Sequence, residues 1–106
     1  MGALTSDKVL KLIEQGVSLY REDLRGLDLH DMNLRGADFG FCDLSRANLQ
    51  RSNLICANLE GANLENAELT GTDLRYANLI GANLKGTIYE NTDLFKITKL
   101  KQKSKA

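Results

Sequence analysis

Proline and tryptophan are absent from this 106-residue chain, and histidine occurs once, at His30. A single histidine, with no Cys/His spacing of the usual kind, leaves no zinc site to draw. It also leaves serine and cysteine without an imidazole base, so no nucleophilic triad is apparent. There is no glycine-rich phosphate loop. No apolar run reaches about 18 residues and no signal-peptide core opens the chain, so neither a transmembrane helix nor export is expected, and a cytoplasmic protein is. Net charge of one sign is also missing: 14 Lys and Arg balance 14 Asp and Glu. With 42% hydrophobic residues, the composition argues against wholesale disorder and for one domain.

What the chain does have is a period. From Leu24 through Leu29, Leu34 and Phe39 to Leu84, Tyr89 and Leu94, every fifth residue is large and apolar without a slip. Five matches neither the 3.6 of a helix nor the 2 of a flat strand. The chain must therefore turn once per unit to keep these residues inside. Two residues before each such centre the side chain is mostly small, as at Ala37, Cys42, Ala47, Ser52, Ala57 and Thr72. One small and one large apolar side chain per unit can fill a narrow interior. The residue just before the centre is Asp or Asn, except at Glu68 and Ile88; such side chains bond nearby backbone and support turns. Two residues after the centre Gly or Asn recurs, as at Gly61 and Asn66, residue types that accept the positive φ of a type II turn.

The runs Ala47-Asn48-Leu49-Gln50-Arg51, Ala62-Asn63-Leu64-Glu65-Asn66 and Ala82-Asn83-Leu84-Lys85-Gly86 resemble the pentapeptide repeat family, whose pattern is Ala-(Asp/Asn)-Leu-x-x. The resemblance covers about three quarters of the chain. It implies an all-β solenoid, a right-handed quadrilateral β-helix with four pentapeptides to a coil. Glu22, Leu27 and Met32 stand at small-residue positions, so the first coil is expected to be wider or distorted.

Three segments follow. Residues 1–16 form an N-terminal capping helix, 17–96 the repeat β-helix and 97–106 a basic tail. The helix is expected over Ser6–Gln15, with Ser6 as N-cap, Asp7 in the first turn and Gly16 as its stop. Val9, Leu10, Leu12 and Ile13 make its apolar face, which would cover the open first coil. Val17-Ser18-Leu19-Tyr20-Arg21 is already in register, with Val17 and Leu19 inward. That makes about four coils and a rod of roughly 19 Å. Lys99 falls on the next centre and ends the core. Lys99, Lys101, Lys103 and Lys105 then protect the last coil from edge-to-edge pairing.

The chemistry is meagre. Asp38-Phe39-Gly40 matches a kinase metal-binding motif in letters only, since Phe39 is a centre residue. The start Met1-Gly2-Ala3-Leu4-Thr5-Ser6 formally matches a myristoylation signal, but the motif is short and a membrane is not expected as partner. The carboxylates before centres read as turn residues, not acid–base pairs. Cys42 is inward and Cys56 outward, so no disulfide is expected. No enzyme, metal or cofactor is predicted.

Two functions are compatible. The first is a rigid scaffold for an unidentified protein partner. Residues twenty apart would share a face, which collects Arg35, Ile55, Arg75 and Phe95 beside Gly36, Cys56, Tyr76 and Lys96. Tyr, Phe and Arg are hot-spot types. The nearest rival face holds Tyr20, Phe41 and Ile80. The second function is a DNA-mimic regulator of DNA gyrase, an activity the family resemblance implies for some members. It fits poorly: Arg25, Arg35, Arg46, Arg51 and Arg75 interrupt the outward faces, and 19 Å spans about six base pairs. An end-to-end homodimer through the C-terminal coil would double that length. Nucleic acid itself is not expected as a partner.

Overall fold

The structure is a computed structural model that describes residues 4–89 and 99–101. Its architecture is carried by backbone pairing between successive turns. Parallel bridges join Asp23 to Asp43, Asp28 to Asn48, Asn33 to Asn53 and Asp38 to Asn58, then start again with Asp43 and Asn63. Each bridge spans twenty residues, so one turn of the solenoid carries four of them, one per pentapeptide. Asn63 shows how each works. Its N–H donates to Cys42 at 2.9 Å, and its carbonyl accepts from the N–H of Leu44 at 2.7 Å.

Between bridges the chain rounds a corner. The N–H of Ala47 donates to the carbonyl of Leu44 at 3.0 Å, and equivalent i to i+3 bonds recur along the coil. The residue two after the centre has positive φ at every corner from Arg21 to Gly86, including Asp31, Phe41, Arg51, Cys56 and Tyr76. The turn geometry extends well beyond the Gly and Asn positions. Bulky residues are held in the left-handed region, at a cost of roughly 1–2 kcal/mol each, by pairing on both sides.

The Asp or Asn before each centre acts as expected and does more. Its Oδ1 accepts the N–H two residues on, as Asn53 does from Ile55 at 2.9 Å. Asn side chains also donate to the turn before: Asn58 to Asp38 at 3.0 Å and Asn78 to Asn58 at 3.3 Å. A carboxylate only accepts, and Asp38 receives in this column without donating. Ser18 completes this one, donating its hydroxyl to Asp38 at 2.6 Å and accepting from the N–H of Tyr20 at 3.1 Å. In the next column Asp43 pairs with Asp23. Arg25 relieves that like-charge stack by gripping Asp23 at 2.8 Å and lying 3.8 Å from Asp43.

The core is a column of centre residues from Leu19 to Leu79, with the small residues interleaved. Three inward polar side chains each reach a turn carbonyl of the preceding coil: Cys42 to Leu19, Ser52 to Leu29 and Thr72 to Leu49. Among the described residues no buried side-chain N or O lacks a partner.

Helix α1 spans Ser6–Glu14, with Thr5 rather than Ser6 as N-cap; the Thr5 hydroxyl accepts from the N–H of Lys8. Val9 is fully buried in the same cluster as Leu19 and Leu24, and Leu12, Ile13, Leu27 and Met32 pack against it. Glu22 is exposed at its small-residue position, yet its backbone keeps the regular bonds of the coil, its N–H donating to Leu19 and its carbonyl accepting from Asp43 at 3.0 Å each. Val17 departs from its expected inward place at 45% exposure. Its N–H bonds the carbonyl of Leu12, so it still belongs to the helix exit.

Two short strands close the C-terminal side: β1 (Asn78–Ile80) and β2 (Lys99–Lys101), paired parallel. Their register is Asn78 with Lys99, Leu79 with Leu100 and Ile80 with Lys101. This corrects the count by fives: the spacing is twenty-one, so Leu100 and not Lys99 aligns with a centre. The expectations for Lys103 and Lys105 lie outside the described residues.

Candidate functional site

Outward side chains fall into columns because each corner stacks on the corner twenty residues away. In the first column the structure brings Arg35, Ile55 and Arg75 together, next to Gly36, Cys56 and Tyr76; the N–H of Cys56 donates to Arg75 at 3.0 Å. Ile55 is a correction, because at 9% exposure it is buried. It stands between two arginines one turn away on either side, and long aliphatic stems shield a shorter side chain. Arg75 is engaged with Asp73, Nη2 to Oδ2 at 2.7 Å and Nε to Oδ1 at 2.9 Å. That fork, first of all, holds Asp73 below the ordinary carboxylate range, with Arg35 adding to it. Tyr76 protrudes at 60% exposure. Phe95 and Lys96 lie outside the described residues.

The rival face is better ordered than the sequence suggested. Tyr20 and Phe41 meet edge to face with centroids 5.8 Å apart. The Arg21 guanidinium lies 5.3 Å from one ring centroid and 5.4 Å from the other. Both rings rest on glycine. A Cβ on Gly40 would come within 2.9 Å of Tyr20. A Cβ on Gly61 would run into the Phe41 ring. Beyond Phe41 a hollow of ≈ 280 Å³ opens, lined by Phe41, Glu60, Gly61, Ile80 and Gly81. Arg21, Glu60 and the glycines were missed in the sequence. The available signal was a ring and a glycine twenty apart, Tyr20 with Gly40 and Phe41 with Gly61.

A second hollow, of ≈ 370 Å³, lies near Leu4 and is lined by Asp23, Arg25, Gly26, Leu27 and Arg46. Its charges are largely spoken for, since Arg25 holds Asp23.

The titratable groups are arranged for structure. Asp23, Asp28, Asp31 and Asp38 are all held below the ordinary carboxylate range, chiefly by side-chain bonds from Arg25, His30, Arg51 and Ser18 respectively. Groups kept ionised in this way are the opposite of a poised acid. Burial pushes the Cys42 thiol up to about 11. Both cysteines are free, Cys42 buried and Cys56 exposed. Among the described residues no His, Cys, Asp or Glu cluster could hold a metal, and no helix is long and apolar enough to cross a membrane.

Comparison with known proteins agrees with this geometry. The family model "Pentapeptide repeats" matches residues 15–51 and 52–88, with 8 copies. No curated protein matches. The pentapeptide repeat protein Rfr23 from the cyanobacterium Cyanothece 51142 is 41% identical over 72% of this chain and 56% of its own, with a TM-score of 0.46. QnrB1, a plasmid-mediated fluoroquinolone resistance protein, is 25% identical over 71% of this chain and 42% of its own, at TM-score 0.58. The pentapeptide repeat protein alr5209 from Nostoc Pcc 7120 is 28% identical over 91% of this chain and 94% of its own, at TM-score 0.47. The chain thus spans about half the length of the first two. With the family model running through the bridged coils, the chain belongs to the pentapeptide repeat family.

Proposed function

We propose that this protein is a non-enzymatic scaffold that binds a protein partner through a lateral face, in the cytoplasm. The fold behind that reading is a right-handed quadrilateral β-helix of about four coils, capped by α1. One observation carries it. Aromatic side chains with no place in the core, Tyr20, Phe41 and Tyr76, are held in solvent at 46%, 44% and 60% exposure. Two of them sit at corners where they must adopt positive φ. A rigid support for exposed rings lowers the ordering cost of association. Tyr and Arg dominate binding hot spots.

Cross-linking of the full chain in its native extract, with and without Tyr76→Ala and Phe41→Gly, tests this. One substitution should remove a cross-linked protein while the melting temperature holds. Cross-links unchanged by either would sink the reading. An end-to-end homodimer belongs to the same proposal and would appear in sedimentation as a doubled mass. The competing role, regulation of DNA gyrase, has its own test. Concentration-dependent change in gyrase supercoiling, indifferent to both substitutions, would favour it.

A further inference from the structure

Among the outward faces, one combines fixed rings, an open hollow and a charge that has no ion-pair partner among the described residues. Tyr20 and Phe41 are seated on Gly40 and Gly61 and locked edge to face under Arg21. The hollow beside them has the Phe41 ring, which lies over Gly61, as one wall, Ile80 as the other and the bare backbone of Gly81 as its floor. Rows one turn apart are about 4.8 Å apart, and the Phe41 ring reaches over the Gly61 row, so the two walls stand roughly one row from each other. That leaves room for one side chain. Glu60 is the single charged residue of the lining. Its side chain makes no ion pair among the described residues, in contrast to Asp23, Asp31 and Asp73, which are each gripped by an arginine. An apolar slot with one carboxylate at its edge is complementary to an apolar side chain next to a cation. Arg21, at the far end of the rings, repels a cation there and so fixes the direction in which such a segment lies.

We propose that this face, rather than the Arg35–Tyr76 face, receives a protein segment that inserts an apolar side chain between Phe41 and Ile80 and sets a neighbouring Lys or Arg on Glu60. The proposal rests on the scaffold reading and names its site and the chemistry of its partner. Gly61 is the key to the slot. With any larger residue there, the Phe41 ring would be displaced from its seat and the wall lost.

The test is a titration of the ¹⁵N-labelled full chain with the blocked peptide Lys-Leu-Leu-Lys, against Glu-Leu-Leu-Glu as control. The basic peptide should move the amide signals of Phe41, Glu60, Gly61, Ile80 and Gly81, and the acidic one should not. Glu60→Gln should weaken binding by about fivefold, the upper range for an exposed ion pair. Phe41→Gly should weaken it more than Glu60→Gln does. It should do so with a melting temperature within about 4 °C of wild type, since glycine accepts the φ of 54° found there and relief of that strain offsets the lost ring contacts. Equal shifts with both peptides, affinity unchanged in Glu60→Gln, or no shifts at all would overturn the proposal. Shifts at Arg35 and Tyr76 instead would also overturn it while leaving the scaffold reading intact. The scaffold reading fails separately, through cross-links that neither substitution changes.

Discussion

An inward side chain in this solenoid packs between residues at its own position in the turns before and after. Leu64, with 1% exposure, lies between Leu44 and Leu84 in sequence steps of twenty. Leu64→Ala should cost about 2–5 kcal/mol, the range for buried leucines whose surroundings relax only in part. Outward Glu65→Ala should change stability by less than about 0.5 kcal/mol. Urea melts of the two variants check this, and equal shifts would contradict the inward and outward assignment. The thiols offer a second contrast. Cys42 is buried and pushed up to about 11, and its Sγ donates to the Leu19 carbonyl. Ellman's reagent at pH 8 should therefore titrate Cys56 in the native protein and Cys42 only on unfolding. Two fast thiols would contradict the core placement. Most of these positions are legible from the five-residue period alone, because burial follows position in the unit. Ile55 is not: it stands at an outward position of its unit and is nevertheless only 9% exposed. The role of Ser18 was hidden too. A hydroxyl both donates and accepts, so it replaces an Asx side chain in the turn before Asp38 without resembling one.

At the scale of elements, the N-terminal helix was readable to within a residue. The sequence points to Ser6 as its cap where Thr5 serves, because adjacent hydroxyl residues are equivalent until the backbone is known. Nine residues make a marginal helix in isolation. The burial of Val9 and the packing of Leu12 and Ile13 against the core must hold it. Removing residues 1–15 should uncover Leu24, Leu27, Leu29 and Met32 and leave an unpaired backbone edge, so the shortened protein should self-associate. Light scattering measures this. A monomer melting like the full chain would show that the helix covers nothing of consequence. The far end was less legible. Counting by fives carries no notice of a slip, so nothing in the period announces the twenty-one-residue spacing that brings Leu100 opposite Leu79. The face chosen from sequence was weighed on the number of apolar residues. The face with Tyr20 and Phe41 owes its order to the absence of side chains at Gly40 and Gly61, which a tally of apolar residues passes over.

For the whole molecule, the aspartates act together. Asp23, Asp28, Asp31, Asp38 and Asp73 are all held below their ordinary value of 3.8 in the fold. A carboxyl depressed in the folded state contributes stability that is present above its unfolded pKa and lost as the pH falls through its folded one. Urea midpoints should therefore be nearly flat from pH 7 to about pH 5 and decline below about pH 4. High salt should shrink the effect, since these pairs face solvent. A midpoint that rises on acidification would mean that crowding among the acids outweighs their partners. The twenty-residue register also has an arithmetic consequence for how such a protein could change in length. Adding twenty residues inserts a complete storey of about 4.8 Å and leaves every column aligned. Adding five instead rotates everything downstream by one side, so that β2 would no longer continue the column of Ile80 and the rings near the start would look out over a different wall from the residues near the end. Length in this architecture is therefore available only in whole storeys, and a duplication of a single unit is a change of direction rather than of size.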